Sequence, residues 1–187
     1  MAKRSRTTSG DGSTGALPFL GVVRAVKGRI KLLRSFDETA HQYQGYTLVL
    51  TGSVNGVPRD EFRVALGPAA HEKHRFRIGD HVDGKAWPVE DPKTEWADFY
   101  RASGLNFTQR GPSTEERPAD PEGGIAPPLP EYRAQGHRRL DPRTCATACV
   151  RCPFGLTRAT EITIDPWSRD EKKWRFETHC YGPAACP

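Results

Sequence analysis

All five cysteines of this 187-residue chain, Cys145, Cys149, Cys152, Cys180 and Cys186, fall after residue 144. A secreted scaffold stapled by disulfides spreads its cysteines along the chain. A clustered, odd set in a reducing compartment points instead to four thiolate ligands and one thiol to spare. Cys149-Val150-Arg151-Cys152 is a pair with two-residue spacing, and Cys180-Tyr181-Gly182-Pro183-Ala184-Ala185-Cys186 supplies a second pair. Between them, 160–165 and 173–178 alternate apolar with polar residues, and Pro166-Trp167-Ser168-Arg169-Asp170-Glu171 can turn the chain. The expected result is a β-hairpin whose two feet each deliver two sulfurs to one tetrahedral ion held by Cys149, Cys152, Cys180 and Cys186. Cys145 and His179 are alternate ligands.

That arrangement, over residues 145–187, resembles a zinc ribbon, which implies a structural zinc ion replacing a core too small to be stable alone. Cys145, Cys149 and Cys152 also have the spacing seen at the cluster of radical S-adenosylmethionine enzymes, but the chain beyond Cys152 is too short to build the barrel of those enzymes. A four-iron four-sulfur cluster on these three cysteines and Cys180 or Cys186, with Pro153 following in ferredoxin-like fashion, is the alternative cofactor.

Upstream of the cysteines the texture is that of short strands. Residues 1–16 hold no aromatic side chain and are rich in Ser, Thr and Gly, a composition expected of a disordered basic tail. From residue 17, Gly21–Lys27 and Arg29–Leu33 read as strands meeting at a kink at Gly28. Next, 46–51 and 62–66 flank Asn55-Gly56, a hairpin turn pair. Pro68–His74 reads as a short helix with Pro at its start, and 81–89 and 96–107 supply two further strands. Three strands, a helix and two strands resemble the OB-fold, which implies a small five-stranded barrel over residues 17–108. Residues 109–144 carry Pro112, Pro118, Pro121, Pro127, Pro128, Pro130 and Pro142 and read as a linker or a strap across the barrel. The fold class is therefore mainly β, with the barrel first and the metal-bound hairpin last.

Charge suggests what such a chain binds. The net charge is +5, and residues 20–36 hold Arg24, Lys27, Arg29, Lys31 and Arg34 without an acid. If these side chains point outward they form a rail for phosphates, with Phe36, Tyr43, Tyr46 and Trp87 as candidates for base stacking. A second basic stretch runs from His137-Arg138-Arg139 through Arg143 to Arg151. Residues 90–122 are acidic, and the expectation is that this segment covers the basic face when no partner is bound. There is no Gly-rich phosphate loop and no dinucleotide fingerprint, so no catalytic apparatus is expected. No apolar run is long enough to span a bilayer, and the basic start lacks an apolar signal core, which leads to the expectation of a soluble, cytoplasmic protein without a membrane partner. The function expected from these features is binding of single-stranded DNA or RNA by a barrel face and a metal-stabilised hairpin. Two other readings fit the same residues: an accessory subunit of a protein complex, as in OB-fold and zinc-ribbon partners of acyl-CoA enzymes, and a small iron–sulfur electron carrier. Oligomeric state is not encoded in any of these features.

Overall fold

The computed structural model describes residues 15–112, 125–165, 167 and 171–183. Its strands are β1 (Leu17–Arg34), β2 (Thr39–Val54), β3 (Val57–Leu66), β4 (His81–Pro88), β5 (Phe99–Gln109), β6 (Arg138–Arg139), β7 (Gly155–Thr163) and β8 (Lys172–Cys180). Three short helices complete it: α1 (Pro68–His74), α2 (Leu129–Gln135) and α3 (Pro142–Ala146). The fold is mainly β. No helix among the described residues is long and apolar enough to cross a membrane.

The Asn55-Gly56 turn lies where the sequence puts it, with both residues at positive φ (50° and 77°), the handedness that matches the twist of β2 and β3. Pro68 opens α1, and Arg75, in the left-handed region at φ 48°, closes it. β1 differs from expectation. It runs unbroken through Gly28 and bends instead at two irregularities in its pairing with β2, between Val23 and Ala25 and between Arg29 and Ile30. Gly28 serves a close approach: a Cβ there would lie 2.9 Å from Cζ of Tyr132, a side chain of α2 that is fully buried and donates a hydrogen bond to the carbonyl of Pro153 at 2.8 Å. The proline-rich stretch is thus pinned against β1 by one aromatic ring.

Pairings β1–β2, β2–β3, β4–β5 and β1–β4 are antiparallel, and β3–β5 is parallel at Val64 and Phe99, so the circuit β1–β2–β3–β5–β4 returns to the strand it left. Phe19, Val23, Leu48, Leu50, Phe62, Val64, Phe76 and Val82 are buried inside it. β1 is long enough to have two neighbours along one edge. Leu17–Val22 pair with β4, while Leu32–Arg34 pair in parallel with Thr160–Ile162 of β7. The C-terminal hairpin expected over 160–165 and 173–178 is longer, Gly155–Thr163 against Lys172–Cys180, and it continues the sheet from β1 instead of standing apart. β6 closes the order on the far side of β8.

Candidate cysteine loop and arginine edge

Lys27, expected on an outward rail, is 4% exposed. Its Nζ donates to the carbonyls of Cys149 at 2.7 Å, Cys152 at 3.0 Å and Gly155 at 2.7 Å, which uses all three of its protons. Burial pulls the ammonium pKa down, and Cys145, Cys152, Cys149 and Glu61 oppose that pull. No carboxylate among the described residues forms an ion pair with it. The side chain is therefore a fixed cation in the centre of the loop that carries three of the five cysteines.

The loop is built locally. Asp141 caps α3 by accepting from the backbone amides of Arg143 (2.9 Å) and Thr144 (3.1 Å), and the amide of Cys149 donates to the Thr144 carbonyl at 3.1 Å. Cys145, buried on α3, has Sγ 3.9 Å from the hydroxyl of Thr157. Gly155 leaves room for Cys149, whose Cβ would lie 2.5 Å from any side chain there, and Gly155 is the partner of Cys180 across the β7–β8 ladder. Cys180 Sγ accepts from the Gly182 amide at 3.4 Å and faces Arg138 Nη2 at 3.6 Å. Cys145, Cys152 and Cys180 are free thiols. Among the described residues no three His, Cys, Asp or Glu side chains are gathered closely enough to hold an ion, and Cys186 lies outside the described residues. His179, the alternate ligand next to Cys180, lies on the other face of β8, because successive strand residues alternate. Its Nδ1 accepts from Arg158 Nε at 3.1 Å.

The other members of the β1 rail are mostly engaged. Arg24 is exposed and donates to the Thr51 hydroxyl at 3.2 Å. Arg29 pairs with Glu95, and Lys31 pairs with Glu161 at 3.1 Å while standing 4.1 Å above the Trp174 ring. Arg34 holds Glu177 in a fork at 3.0 and 3.1 Å. Two acids of the β4–β5 connection lie on arginines of the sheet, Glu95 on Arg29 of β1 and Asp98 on Arg63 of β3; 113–124 lie outside the described residues. Of the stacking candidates, Phe36 is 99% and Trp87 39% exposed. Tyr43 is half-buried beneath the Arg133 guanidinium (4.9 Å). Tyr46 is withdrawn altogether: it is buried, donates to the Pro127 carbonyl at 2.9 Å and lies ring to ring with His71 at 3.9 Å.

What remains open is the second basic stretch. Arg138, Arg139, Arg143 and Arg151 are all exposed, as is Arg133 of α2 just before the stretch, and from residue 132 to residue 153 the only acid is Asp141, which is occupied in capping α3. None of the five arginines forms an ion pair with a described residue. Arg138 is oriented by the carbonyls of Gly182 (2.9 Å) and Pro183 (2.8 Å). A run of unpaired arginines thus spans residues 133–151, with Arg138 and Arg139 on the edge strand β6 and Arg151 on the cysteine loop.

Sequence reasoning misses one cluster entirely. Arg158 is 2% exposed and donates to His179 and to the hydroxyl of Tyr181. The ring of His137 lies 4.5 Å from that of His41 and 5.2 Å from that of His179. No local spacing signals it, since its members come from β2, β6's approach, β7 and β8. Desolvation first, then the Arg158 charge, lowers the His41 pKa to about 4. An unfolded histidine near 6.5 binds more protons between those two values, so stability falls as pH drops from 6.5 towards 4. We expect the urea midpoint to fall across that window, with solvent screening holding the His41 share to about 1–2 kcal/mol. His41→Gln should flatten the profile, and an unchanged profile in the variant would show that His41 is not the group responsible.

Comparison of the chain with protein-family models, curated proteins and solved structures returns no match.

Proposed function

We propose that the chain is a non-catalytic module that binds single-stranded nucleic acid, with the arginine edge as its phosphate-contacting surface. The observation that carries this reading is five exposed arginines between residues 133 and 151, two of them on the edge strand β6, that form no ion pair with a described residue. Guanidinium groups are weakly hydrated and match phosphate oxygens in pairs, so a run of arginine favours phosphate more than the same number of scattered lysines. The β1 rail, largely neutralised by Glu95, Glu161 and Glu177, contributes little in this reading.

The closed circuit of five strand pairings, with α1 between β3 and β4, supports reading residues 17–108 as an OB-like barrel. For the cysteine module we propose a zinc ion held by Cys149, Cys152, Cys180 and Cys186, with Cys145 as the spare. Two features support it: Cys149 and Cys180 both adjoin Gly155, and the buried Lys27 ammonium favours anionic sulfur around it. Bound zinc would cross-link the loop to the foot of the hairpin and hold the arginine edge in shape.

Filter binding to labelled single strands tests the phosphate edge. With about four phosphate contacts, the slope of log affinity against log salt is about −3, a loss on the order of fifty-fold between 50 and 200 mM salt. Arg139→Glu with Arg143→Glu should make that slope shallower by about 1.4. No binding at low salt, or binding indifferent to these two changes, removes the proposal.

A further inference from the structure

The guanidinium of Arg158, 2% exposed, has no carboxylate partner among the described residues. Its neighbour across the β7–β8 ladder is Glu177, but that carboxylate is held in a fork by Arg34 and accepts from Arg175 Nε at 2.7 Å. Nε and Nη1 of Arg158 are spent on His179 and on the Tyr181 hydroxyl. Nη2 is buried and has no hydrogen-bond partner. A buried charge is tolerated when it is paired and its protons are satisfied, and a neutral imidazole with a phenol supplies only part of that.

Further donors gather around it. Tyr181, fully buried, holds Arg158 on its hydroxyl and stands edge-on to the ring of His41 at 6.4 Å. His41 Nε2 is likewise buried without a partner. The His137 ring lies 4.5 Å from that of His41 and 5.9 Å from that of Tyr181, and His137 is the exposed member of the group. Exposed side chains change rotamer within nanoseconds, so this ring can swing aside for a ligand and close over it. Burial first, and then the Arg158 charge, lowers the pKa of both His41 and His137, so near neutral pH each ring is uncharged and keeps one N–H to donate. The charges acting on these three residues are those of Arg34 and Arg158 themselves and of Glu177, and Glu177 is already shared between Arg34 and Arg175. The balance is positive.

We propose that Arg158, His41 and His137 together bind one phosphate group, free or at the end of a larger molecule, with the His137 ring closing over it. The donors come from β7, β2 and the approach to β6, so a tetrahedral anion offers a separate oxygen to each, which a planar carboxylate with two oxygens does not. Arg158 supplies the charge, and the imidazole N–H groups fix the orientation. The exposed arginines of 133–151 meet phosphates by charge at the surface, whereas this site takes a single group out of water. It stands independently of the nucleic-acid reading, since the group can belong to inorganic phosphate or to the end of a strand.

Calorimetric titration of the full chain with inorganic phosphate at constant ionic strength tests it. The wild type should take up about one phosphate per chain with a Kd below about 1 mM. Arg158→Lys keeps the charge and loses the fork, and should weaken binding by about tenfold or more. His41→Phe keeps a ring at a half-buried position and removes the nitrogens, and should weaken it by about fivefold. A second measurement needs no variant: as phosphate is added to the wild type, the imidazole proton resonances of His41 and His137 should move while those of His71, His74 and His81 stay. No binding in that range, binding that both variants leave intact, or fixed His41 and His137 resonances overturns the proposal. Single strands with and without a terminal phosphate separate the two sources. Tighter binding of the phosphorylated strand, lost in His41→Phe, assigns the site to strand ends; equal binding of both strands, with inorganic phosphate still bound, assigns it to a free phosphate compound. Phosphate binding without oligonucleotide binding would discard only the nucleic-acid reading, and the reverse would discard only this site.

Discussion

Replacing Lys27 by Met should release the cysteine loop from the strand circuit β1–β2–β3–β5–β4 while the circuit itself stays folded. The two side chains are similar in length, so β1 keeps its packing, but the carbonyls of Cys149, Cys152 and Gly155 lose their shared donor at once. A buried carbonyl left without a partner costs about 1–3 kcal/mol, and three together exceed what holds a loop of this size. The loop will therefore open to water, with a local cost of about 3–4 kcal/mol. Hydrogen exchange reads this directly. The amides of Cys145, Cys149 and Tyr181, bonded to Asp141, Thr144 and Phe154, should lose about a hundred- to thousand-fold of protection, while those of Leu48, Leu50 and Val64 keep theirs. Lys27→Arg should not rescue, because a planar fork cannot converge on three carbonyls around one point. Loop amides that remain protected in Lys27→Met would show that the cation is incidental to the loop.

Lys27 also marks where local pattern stops being informative. Strand alternation puts it on the same outer side as Arg29 and Lys31, and that much was legible in the sequence. What covers it comes from residues more than a hundred positions later, and no local period encodes such a contact. The same holds for Gly28. A glycine inside a strand pattern signals a bulge or a close approach, and the sequence does not distinguish the two; Tyr132 does. By contrast, the Asn55-Gly56 turn, the Pro68 helix start and the β7–β8 hairpin were legible because each rests on neighbouring residues alone. The basic stretch from His137 to Arg151 was also visible, but that it forms no ion pair with a described residue, while Arg29, Lys31 and Arg34 of the richer-looking β1 rail are neutralised, depends on which acids fold against which strand.

Cys149→Ser and Cys180→Ser should each reduce the metal content of anaerobically purified protein from about one zinc per chain to near none, whereas Cys145→Ser should keep most of it. The structural consequence should stop partway along the hairpin. β7 is paired to β1 at Leu32–Arg34, Arg34 grips Glu177, and Glu161 lies between Lys31 and Lys172. Leu156 and Tyr181 are fully buried, and these contacts do not depend on sulfur. In the two metal-free variants trypsin should therefore cut about tenfold faster after Arg143 and Arg151, on the cysteine loop, while Arg158, 2% exposed within the anchored strand, stays resistant. Cleavage after Arg158 at the same rate would mean that the ion holds the whole hairpin, as in a free-standing ribbon. Equal metal loss in all three variants would make Cys145 a ligand, and a brown protein with a sulfur-to-iron band would assign the thiolates to an iron–sulfur cluster. Neither zinc nor iron in the anaerobic wild type would leave Lys27, the α3 cap and the Tyr132 hydrogen bond to Pro153 to organise the loop, and the arginine edge would then have to keep its shape without an ion beneath it.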